Sequence, residues 1–414
     1  MKLATLSCLT LFTTTAVAQT VTVSTTPQNA EQVYYRLTDD AQTSAVLADW
    51  DIAFEITGIT GSVLVNTAKG MSVYKAPYTA AQWSELDTAG LAAGWPEQQN
   101  SEINWSSGAL NQGLTSNPFD LGWGIYDPVG HNITGDSLFV FRMADGAYKK
   151  FVVNGFAALT NSFTFTLADL DGGAELVGTL DRSDFAGKNF GYYSFASSST
   201  MDMEPLASDW DLLFTKYRGF VTQPFPAFYP VAGVLQNREV LVQQVDGVPP
   251  ADAQWDGQAM SADMNIIGFD WKNFDQGTLT WTYATDRTYF VKDRSGNIWK
   301  LVFTEYGGGM TGTITFTKEL VSALSVDEVA AGHAFVLAPN PVTQDRVNLV
   351  IDTQVSELLL NILDASGRIV HEELLTGLGG LAQRTIQLNG LGQGLYVVRL
   401  QGQGINTTDR LVVE

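Results

Sequence analysis

The residues best suited to acid–base chemistry in this sequence are two pairs of aspartates. Asp49 and Asp51 flank one tryptophan, and Asp209 and Asp211 flank another in a nearly identical context. Residues two apart in a strand point to the same face, so each pair could supply a general acid and a general base on one surface. The simpler interpretation, which we favour, is that the aspartates edge a tryptophan-bearing strand and face water.

Other catalytic groups are scarce. His131 is the one histidine before residue 333, and the sequence contains neither a G-x-S-x-G turn nor an H-E-x-x-H motif. Cys8 is the one cysteine and lies in the segment predicted below to be a leader, so the mature chain has no thiolate nucleophile. The sequence therefore predicts a protein that is not an enzyme.

A group of carboxylates has the composition of a calcium loop. Asp169, Asp171 and Glu175 surround a glycine pair, and Ca²⁺ prefers oxygen ligands. The spacing departs from that of an EF-hand loop, and the glutamate that closes such a loop is missing. We therefore expect a solvated turn here and no metal site.

A proline-interrupted stretch has the composition of a contact surface for a flat ligand. Phe225, Phe228 and Tyr229 alternate with Pro226 and Pro230. Because proline interrupts a regular strand, core packing explains only a minority of these rings. We predict an ordered, irregular loop whose aromatic side chains stack on a ligand.

The composition of the chain predicts strands and turns to position these residues. The sequence contains 39 Gly, 22 Phe, 14 Tyr and 10 Trp, and apolar residues alternate with threonine in segments such as 163–167 and 279–283. Apolar faces on many short strands must pack on one another, which predicts an all-β fold with sandwich-like domains. The net charge of −21 disfavours nucleic acid and anionic membranes as partners, because both bind clustered cations.

A weak internal repeat divides most of the chain. The hexapeptide that contains Trp50 recurs around Trp210, about 160 residues later, and the surroundings of Gly146 recur around Gly296. Agreement in order over so long a stretch predicts tandem copies of one β domain, in which the paired residues occupy equivalent places and the tryptophans are buried. The predicted copies are residues 19–172 and 173–322.

The second copy resembles a known family. Three of its segments, read in order, are similar to the HmuY family of surface haem-binding proteins, and the resemblance covers most of residues 190–320. These segments are Ser208–Tyr217, Tyr289–Tyr306 and Gly312–Thr317. The resemblance implies an all-β fold and haem as the ligand.

The histidine pair that holds haem iron in that family has no counterpart here. The expected position holds Asp275 in the second copy and falls beside Tyr126 in the first. Haem iron also accepts thioether and phenolate ligands. With the resemblance as the guide, Met260 or Met264 of the second copy is the expected axial ligand, and Tyr126 is the alternative in the first copy.

The C-terminal segment, residues 335–414, carries four motifs in a fixed order. They are Pro339-Asn340-Pro341, a turn with Asp364, Gly367 and Arg368, a strand start with Gly394 and Tyr396, and a terminal strand at 409–413. In order and spacing these motifs resemble the C-terminal sorting domain of type IX secretion cargo. The resemblance implies a small β-sandwich and the type IX machinery as a partner.

The N-terminus predicts export. Lys2 precedes the mostly apolar run Leu3–Phe12, and Ala16-Val17-Ala18 fits a signal-peptide cleavage site, so residues 1–18 are the predicted leader. The apolar run is too short to span a bilayer, and we predict no transmembrane segment. Small and acidic residues at 323–334 are the predicted linker to the C-terminal segment. The expected localisation is secreted or at the cell surface.

Three classes of function remain open from the sequence. The favoured one is an exported binding protein for haem or another flat hydrophobic ligand. The second is a structural or adhesive surface protein without a small-molecule ligand, and the third is a hydrolase with an unrecognised carboxylate site. A Soret absorbance change on adding haemin would separate the first class from the others.

Overall fold

The computed structural model describes residues 18–322 and 335–413, apart from positions 59, 113–114, 223–224, 343–344, 354, 365–366, 379, 389 and 403–404. The predicted leader before Ala18 and the predicted linker at 323–334 lie outside the described residues. The chain divides into an N-terminal unit, with the described residues up to 322, and a C-terminal unit, with those from 335. Strands dominate, and the α-helices of the described residues are the single turns α1 Leu91–Gly94 and α2 Gly308–Thr311. The predicted all-β class is confirmed.

The N-terminal unit is built from antiparallel strands joined by turns. In chain order the strands are β1 Gln19–Ser24, β2 Glu31–Tyr35, β3 Gln42–Val46, β4 Ile52–Glu55, β5 Val63–Val65, β6 Ser72–Thr79, β7 Glu97–Gln98, β8 Gly124–Tyr126, β9 Ile133–Gly135, β10 Ser137–Arg142, β11 Tyr148–Ala157, β12 Ser162–Asp169, β13 Leu176–Asp181, β14 Phe190–Ser194, β15 Ser199–Met201, β16 Leu212–Val221, β17 Ala227–Gln236, β18 Leu241–Asp246, β19 Lys272–Asp275, β20 Thr280–Tyr283, β21 Arg287–Lys292, β22 Ile298–Tyr306 and β23 Thr313–Ser322. In β12 the side chains of Phe163, Phe165 and Leu167 are buried while those of the intervening threonines are partly exposed, which is the alternation read from the sequence.

Two sheets enclose the first apolar core, and together they form what we call the first lobe. One sheet has the order β13-β12-β11-β10-β6-β7, with β8 and β9 attached, and the other has the order β15-β14-β4-β5. Phenylalanines dominate the core between them. Phe54 stacks on Phe163 at 4.8 Å between ring centroids, and Phe141 stacks on Phe151 at 4.7 Å.

The second lobe repeats this arrangement around a second core. Its sheets have the orders β1-β23-β22-β21-β18 and β17-β16-β2-β3, and the hairpin β19–β20 is added to them. Its core includes Tyr35, Phe214, Trp271, Phe303 and Phe316. Each lobe is therefore a β-sandwich with its own aromatic core.

The two lobes exchange their opening strands. β1 pairs with β23 and β2 with β16, whereas the equivalent strands β13 and β14 pair with β12 and β4. The first three strands of the predicted first copy thus complete the second lobe, and β13–β15 complete the first lobe. The predicted boundary between residues 172 and 173 therefore does not separate the sheets. The reason is physical, because a sequence repeat records order along the chain and does not record which strand supplies the hydrogen-bond partner.

The paired residues of the sequence repeat have equivalent surroundings. Trp50 and Trp210 each end a 3₁₀ turn immediately before β4 or β16, and they are buried, with 7% and 2% of their surfaces exposed. Gly146 and Gly296 lie in the β10–β11 and β21–β22 turns with φ of 88° and 89°, a conformation that glycine adopts without steric cost.

The C-terminal unit is a small sandwich of two sheets. Its strands are β24 Phe335–Ala338, β25 Arg346–Thr353, β26 Glu357–Leu363, β27 Ile369–Thr376, β28 Gly380–Gln387, β29 Gly394–Gly402 and β30 Ile405–Val413. One sheet has the order β24-β25-β28 and the other β27-β26-β29-β30. Leu349, Leu360 and Leu400 are fully buried between them, as expected for alternating strands that share an apolar face.

Candidate functional site

The aspartates beside the two tryptophans hold the exchanged strands. Asp51 and Asp211 are buried, and their carboxylates accept the backbone N–H of Phe195 and Leu37 at 2.7 and 2.8 Å. Each bond joins one predicted copy to the opening strands of the other. The expectation that both members of each pair face water was therefore wrong for these two residues, because a buried backbone N–H needs an acceptor. This role is structural.

The proline-interrupted stretch lies in the long hairpin β16–β17. The two strands pair continuously from Leu212 opposite Gln236 to Val221 opposite Ala227. Phe228 and Tyr229 therefore lie in a regular strand and not in the irregular loop that the sequence predicts. β17 can include Pro230 because it is an edge strand, where one side of the backbone needs no hydrogen-bond partner.

Three segments of the second lobe surround an open cleft of about 950 Å³, which we call the aromatic cleft. Phe225 and Tyr229 of the β16–β17 hairpin form one side, and Leu279 and Trp281 of the β19–β20 hairpin form another. The segment Gly307–Met310 closes the third side. Phe225, Tyr229, Leu279 and Met310 are 67%, 62%, 73% and 87% exposed.

The structure brings two of the predicted contact residues into this cleft and adds others. Phe228, the third, packs edge-on against Phe220 and lines a separate polar depression beside Glu97. Trp281 and Met310 also line the cleft, and no sequence motif marks them as contact residues. The alternation of 279–283 and the glycine run at 307–309 were visible in the sequence, but nothing in it showed that both would lie beside the β16–β17 hairpin.

A buried lysine packs against two aromatic rings beside the aromatic cleft. The amine of Lys272 is 4.8 Å from the ring centroid of Tyr306 and 5.7 Å from that of Trp281, and it donates to the carbonyl of Phe269. Burial lowers the pKa of Lys272 to about 7. The ring of Trp281 meets that of Tyr306 edge-on at 4.9 Å. These contacts fix the orientation of the cleft's two most buried rings.

The methionines predicted as axial ligands lie in different apolar clusters. Met264 is buried with Trp210 and Leu235. Met260 packs in a cluster with Trp255 and Phe290. Neither lines the aromatic cleft. As members of two separate clusters they do not form a common site for iron.

Tyr126, the alternative ligand in the first copy, is paired with the one histidine of the repeats. Its hydroxyl lies 2.6 Å from Nδ1 of His131, on the surface of the first lobe. The ring of Phe119 lies 6.4 Å from that of Tyr126. The structure therefore places a tyrosine–histidine pair at this position, away from the residues of the aromatic cleft.

The carboxylates at 169–175 form a turn. Asp171 accepts the backbone N–H of Gly173, and Asp169 forms an ion pair with Lys149 at 2.6 Å. Within the described ranges, no group of three or more His, Cys, Asp or Glu side chains is placed to hold a metal ion.

Asn340 of the first motif connects the start of the C-terminal unit to its last strand through hydrogen bonds. The Asn340 side-chain amide donates to the carbonyl of Arg410 at 2.7 Å, and its oxygen accepts the N–H of Val412 at 2.9 Å. Asn340 and Pro341 are joined by a cis peptide bond. The predicted first motif is thus bound to the terminal strand β30.

Three of the other motif residues lie around one shallow depression, and Gly394 begins strand β29. Asp364, Arg368 and Tyr396 line it, Asp364 and Arg368 form an ion pair at 3.1 Å, and the Tyr396 hydroxyl donates to the carbonyl of Gly392. Gly367 adopts a φ of 79° in the turn between β26 and β27.

This geometry agrees with a comparison of the sequence with known families. Residues 336–414 match the model of the secretion system C-terminal sorting domain. The C-terminal unit is a sorting domain. It marks the protein for secretion to the cell surface or beyond, which confirms the predicted localisation and makes the type IX machinery a partner of this unit.

Curated proteins and solved structures give no functional information beyond the sorting domain. No curated protein matches the chain. A solved structure found by similarity is that of PorZ, described as an essential bacterial surface component of the type IX secretion system of Porphyromonas gingivalis. It is 11% identical, with a TM-score of 0.17, and the match covers 92% of this chain and 68% of that one. A similarity of this size supports no conclusion about this protein. Among the described residues, no helix is long and apolar enough to cross a membrane.

Proposed function

We propose that this protein is an exported binding protein whose aromatic cleft takes up a flat hydrophobic ligand, and that haem is the first candidate. The observation that carries the proposal is the exposure of Phe225, Tyr229, Leu279 and Met310 around one cleft. Large apolar side chains that stay exposed together are typical of ligand or protein contact sites. A cleft of about 950 Å³ falls in the size range of small-molecule sites.

The side chains of the cleft fit haem in part. Aromatic rings such as Phe225 and Trp281 stack on flat macrocycles. Tyr229 and Met310 carry phenol and thioether groups, both of which can ligate haem iron. No histidine is among the described residues that line the cleft. The cleft therefore fits stacking of a porphyrin with a single weak axial ligand and does not fit a bis-histidine site. Tyr229 and Met310 therefore replace Met260 and Met264 as the ligands we propose.

The experiment is a titration of the purified N-terminal unit and of the full chain with haemin, followed by Soret absorbance. Metal-free protoporphyrin IX serves as the second probe, because it stacks as haem does and offers no iron to coordinate. Phe225→Ala should weaken binding of both probes. Met310→Ala or Tyr229→Phe should alter the spectrum of bound haemin while leaving protoporphyrin binding nearly unchanged. Leu159→Ala, at a residue that is 98% exposed on the first lobe, is the matched control.

The outcomes separate this function from the alternatives. If neither porphyrin binds, or if Phe225→Ala binds as the parent does, haem is excluded at this cleft. A structural or adhesive role without a small-molecule ligand then becomes the better proposal, and the interlocked sheets would favour it. The structural use of Asp51 and Asp211 supports binding over catalysis as the role of the chain.

A further inference from the structure

Met310 differs from the other methionines of the described residues because its side chain is open to solvent. It is 87% exposed and forms part of one side of the aromatic cleft. The others are buried or packed against apolar clusters: Met71, Met143, Met201, Met203, Met260 and Met264. Packing of that kind keeps a thioether away from oxidants dissolved in water.

The backbone that carries Met310 is held in place beside the cleft. At the C-terminal end of α2, the carbonyl of Gly312 accepts the backbone N–H of Thr25 at 3.0 Å. At its start, a Cβ added to Gly308 would lie 2.9 Å from the indole nitrogen of Trp281, so the turn packs directly on that ring. The exposed side chain of Met310 therefore extends from a fixed position on the wall of the cleft.

Hydrogen peroxide converts an accessible methionine to methionine sulfoxide. The sulfur lone pair attacks one peroxide oxygen, so that an S–O bond forms as the O–O bond breaks, and the leaving hydroxide takes up the proton of the transferred oxygen to become water. Sulfur loses the two electrons that peroxide gains. No thiol of the exported protein would compete for the oxidant, because Cys8 is the one cysteine of the sequence and lies in the predicted leader.

We propose that Met310 is the peroxide-sensitive residue of this protein and that its conversion to sulfoxide changes how the aromatic cleft holds its ligand. The inference rests on the proposed function, because it concerns the same cleft. A thioether is apolar and offers sulfur to haem iron, whereas a sulfoxide is polar and presents oxygen. Because Met310 is 87% exposed, the change leaves the packed cores of both lobes intact. It is reversible, since methionine sulfoxide reductases remove the oxygen as water while two thiols become a disulfide.

The first part of the test measures oxidation without any ligand. The full chain is treated with hydrogen peroxide, and the sulfoxide content of each methionine is followed by peptide mass spectrometry. We expect Met310 to react about tenfold faster than any other methionine, because the others become accessible only through local opening. The same treatment in denaturing urea should remove this difference. Another methionine that reacts as fast as Met310 in the folded protein would overturn the proposal.

The second part measures the effect on the cleft. After the peroxide has been removed, the oxidised chain is titrated with haemin and its Soret spectrum is recorded. The spectrum should match that of Met310→Ala and should return to that of the parent after treatment with a methionine sulfoxide reductase and dithiothreitol. Protoporphyrin binding should stay nearly unchanged, because the probe offers no iron to coordinate.

Two variants locate the effect at one sulfur. Met310→Leu should give the same haemin spectrum before and after peroxide, whereas Met260→Leu should respond to peroxide as the parent does, because Met260 does not line the cleft. A haemin spectrum that oxidation leaves unchanged in the parent would overturn the effect on the cleft. If the unoxidised parent binds no haemin, the proposed function fails and this effect fails with it, while the oxidation rates still decide whether Met310 is the peroxide-sensitive residue.

Discussion

Two buried asparagines show that the repeat extends to single hydrogen bonds. The Asn66 amide donates to the carbonyls of Leu47 and Trp50, and the Asn237 amide donates to those of Ala207 and Trp210 at nearly the same distances. Both side chains hold the turn that leads into the tryptophan. The two asparagines do not share the sequence offset of the two tryptophans, because the loops that precede them differ in length. Their equivalence became visible only through their partners.

The two equivalent tryptophans give the first prediction. Trp210→Ala should lower the free energy of unfolding by about 3–5 kcal/mol, because it removes a buried indole that packs edge-on against Tyr34. Trp50→Ala, which loses the matching contact with Tyr192, should cost a similar amount. Urea unfolding followed by circular dichroism measures both. A loss below about 1 kcal/mol in either variant would contradict the burial of the two indole rings.

Glu204 gives a prediction about pH. Its carboxylate is buried, accepts the backbone N–H groups of Asn189 and Phe190 at 3.0 Å, and has its pKa raised by burial to about 7. A raised pKa means that the folded state favours the protonated carboxyl. Its stabilising contribution is therefore complete below the ordinary glutamate pKa and is lost as the pH rises through about 7.

The measurement compares unfolding free energies at pH 6 and pH 8. Burial also raises the pKa of Asp211, to about 6. The stability that depends on protonated Asp211 is therefore lost largely below the interval from pH 6 to pH 8. Burial lowers the pKa of Lys272 to about 7, so this amine titrates in the same window with the opposite effect on stability. The contribution of Glu204 is therefore the difference between the parent and Glu204→Gln, and between pH 6 and pH 8 this difference should change by an amount on the order of 1–2 kcal/mol. The exposed Glu305→Gln should keep the pH dependence of the parent. An unchanged slope in Glu204→Gln would show that the carboxylate is not responsible.

At the scale of elements, β1 should stabilise the second lobe alone. It adds an edge to β23, with Val21 and Val23 buried in the second core. Deleting residues 19–24 should lower the free energy of unfolding by about 3–6 kcal/mol, because the burial of apolar side chains is lost. The deletion should also expose the edge of β23. Hydrogen exchange should then rise in β22 and β23 and stay unchanged in β10–β12. Equal increases in both lobes would mean that the lobes do not keep separate cores.

The sequence predicted the strands well and their partners poorly. The alternation at Phe163 and Phe165 and the turn glycine Gly146 specify local structure, because side-chain period and φ are properties of a few adjacent residues. The exchange of β1–β3 with β13–β15 depends on contacts between residues far apart in the chain, and no local pattern records them. The aromatic cleft illustrates both cases. The composition of the sequence around Phe225 and Tyr229 indicated these two residues as ligand contacts. Trp281 and Met310 lie far from them in the chain, and only the fold places them in the same cleft.

For the whole molecule, the strand exchange predicts which fragments fold. Residues 47–206 contain both sheets of the first lobe, from β4 to β15. Residues 19–172 match the sequence repeat but lack β13–β15 and carry β1–β3 without their partners. We expect the first fragment to be a cooperatively folding monomer and the second to aggregate or to form exchanged dimers. Light scattering after size exclusion, together with thermal unfolding, distinguishes these states. A folded monomer of residues 19–172 would contradict the exchange.

The last prediction concerns export of the whole chain. The sorting domain is a compact unit of its own, and the sequence predicts a signal peptide at residues 1–18. We expect the protein outside the cell to lack residues 1–18 and the sorting domain, with the second cut within residues 323–334. Intact mass spectrometry of culture supernatant and of released surface protein measures both ends. A variant truncated before residue 335 should stay in the periplasm, because it keeps the leader and loses the domain that the type IX machinery recognises. Secretion of that variant at the parent level would show that export does not depend on the sorting domain.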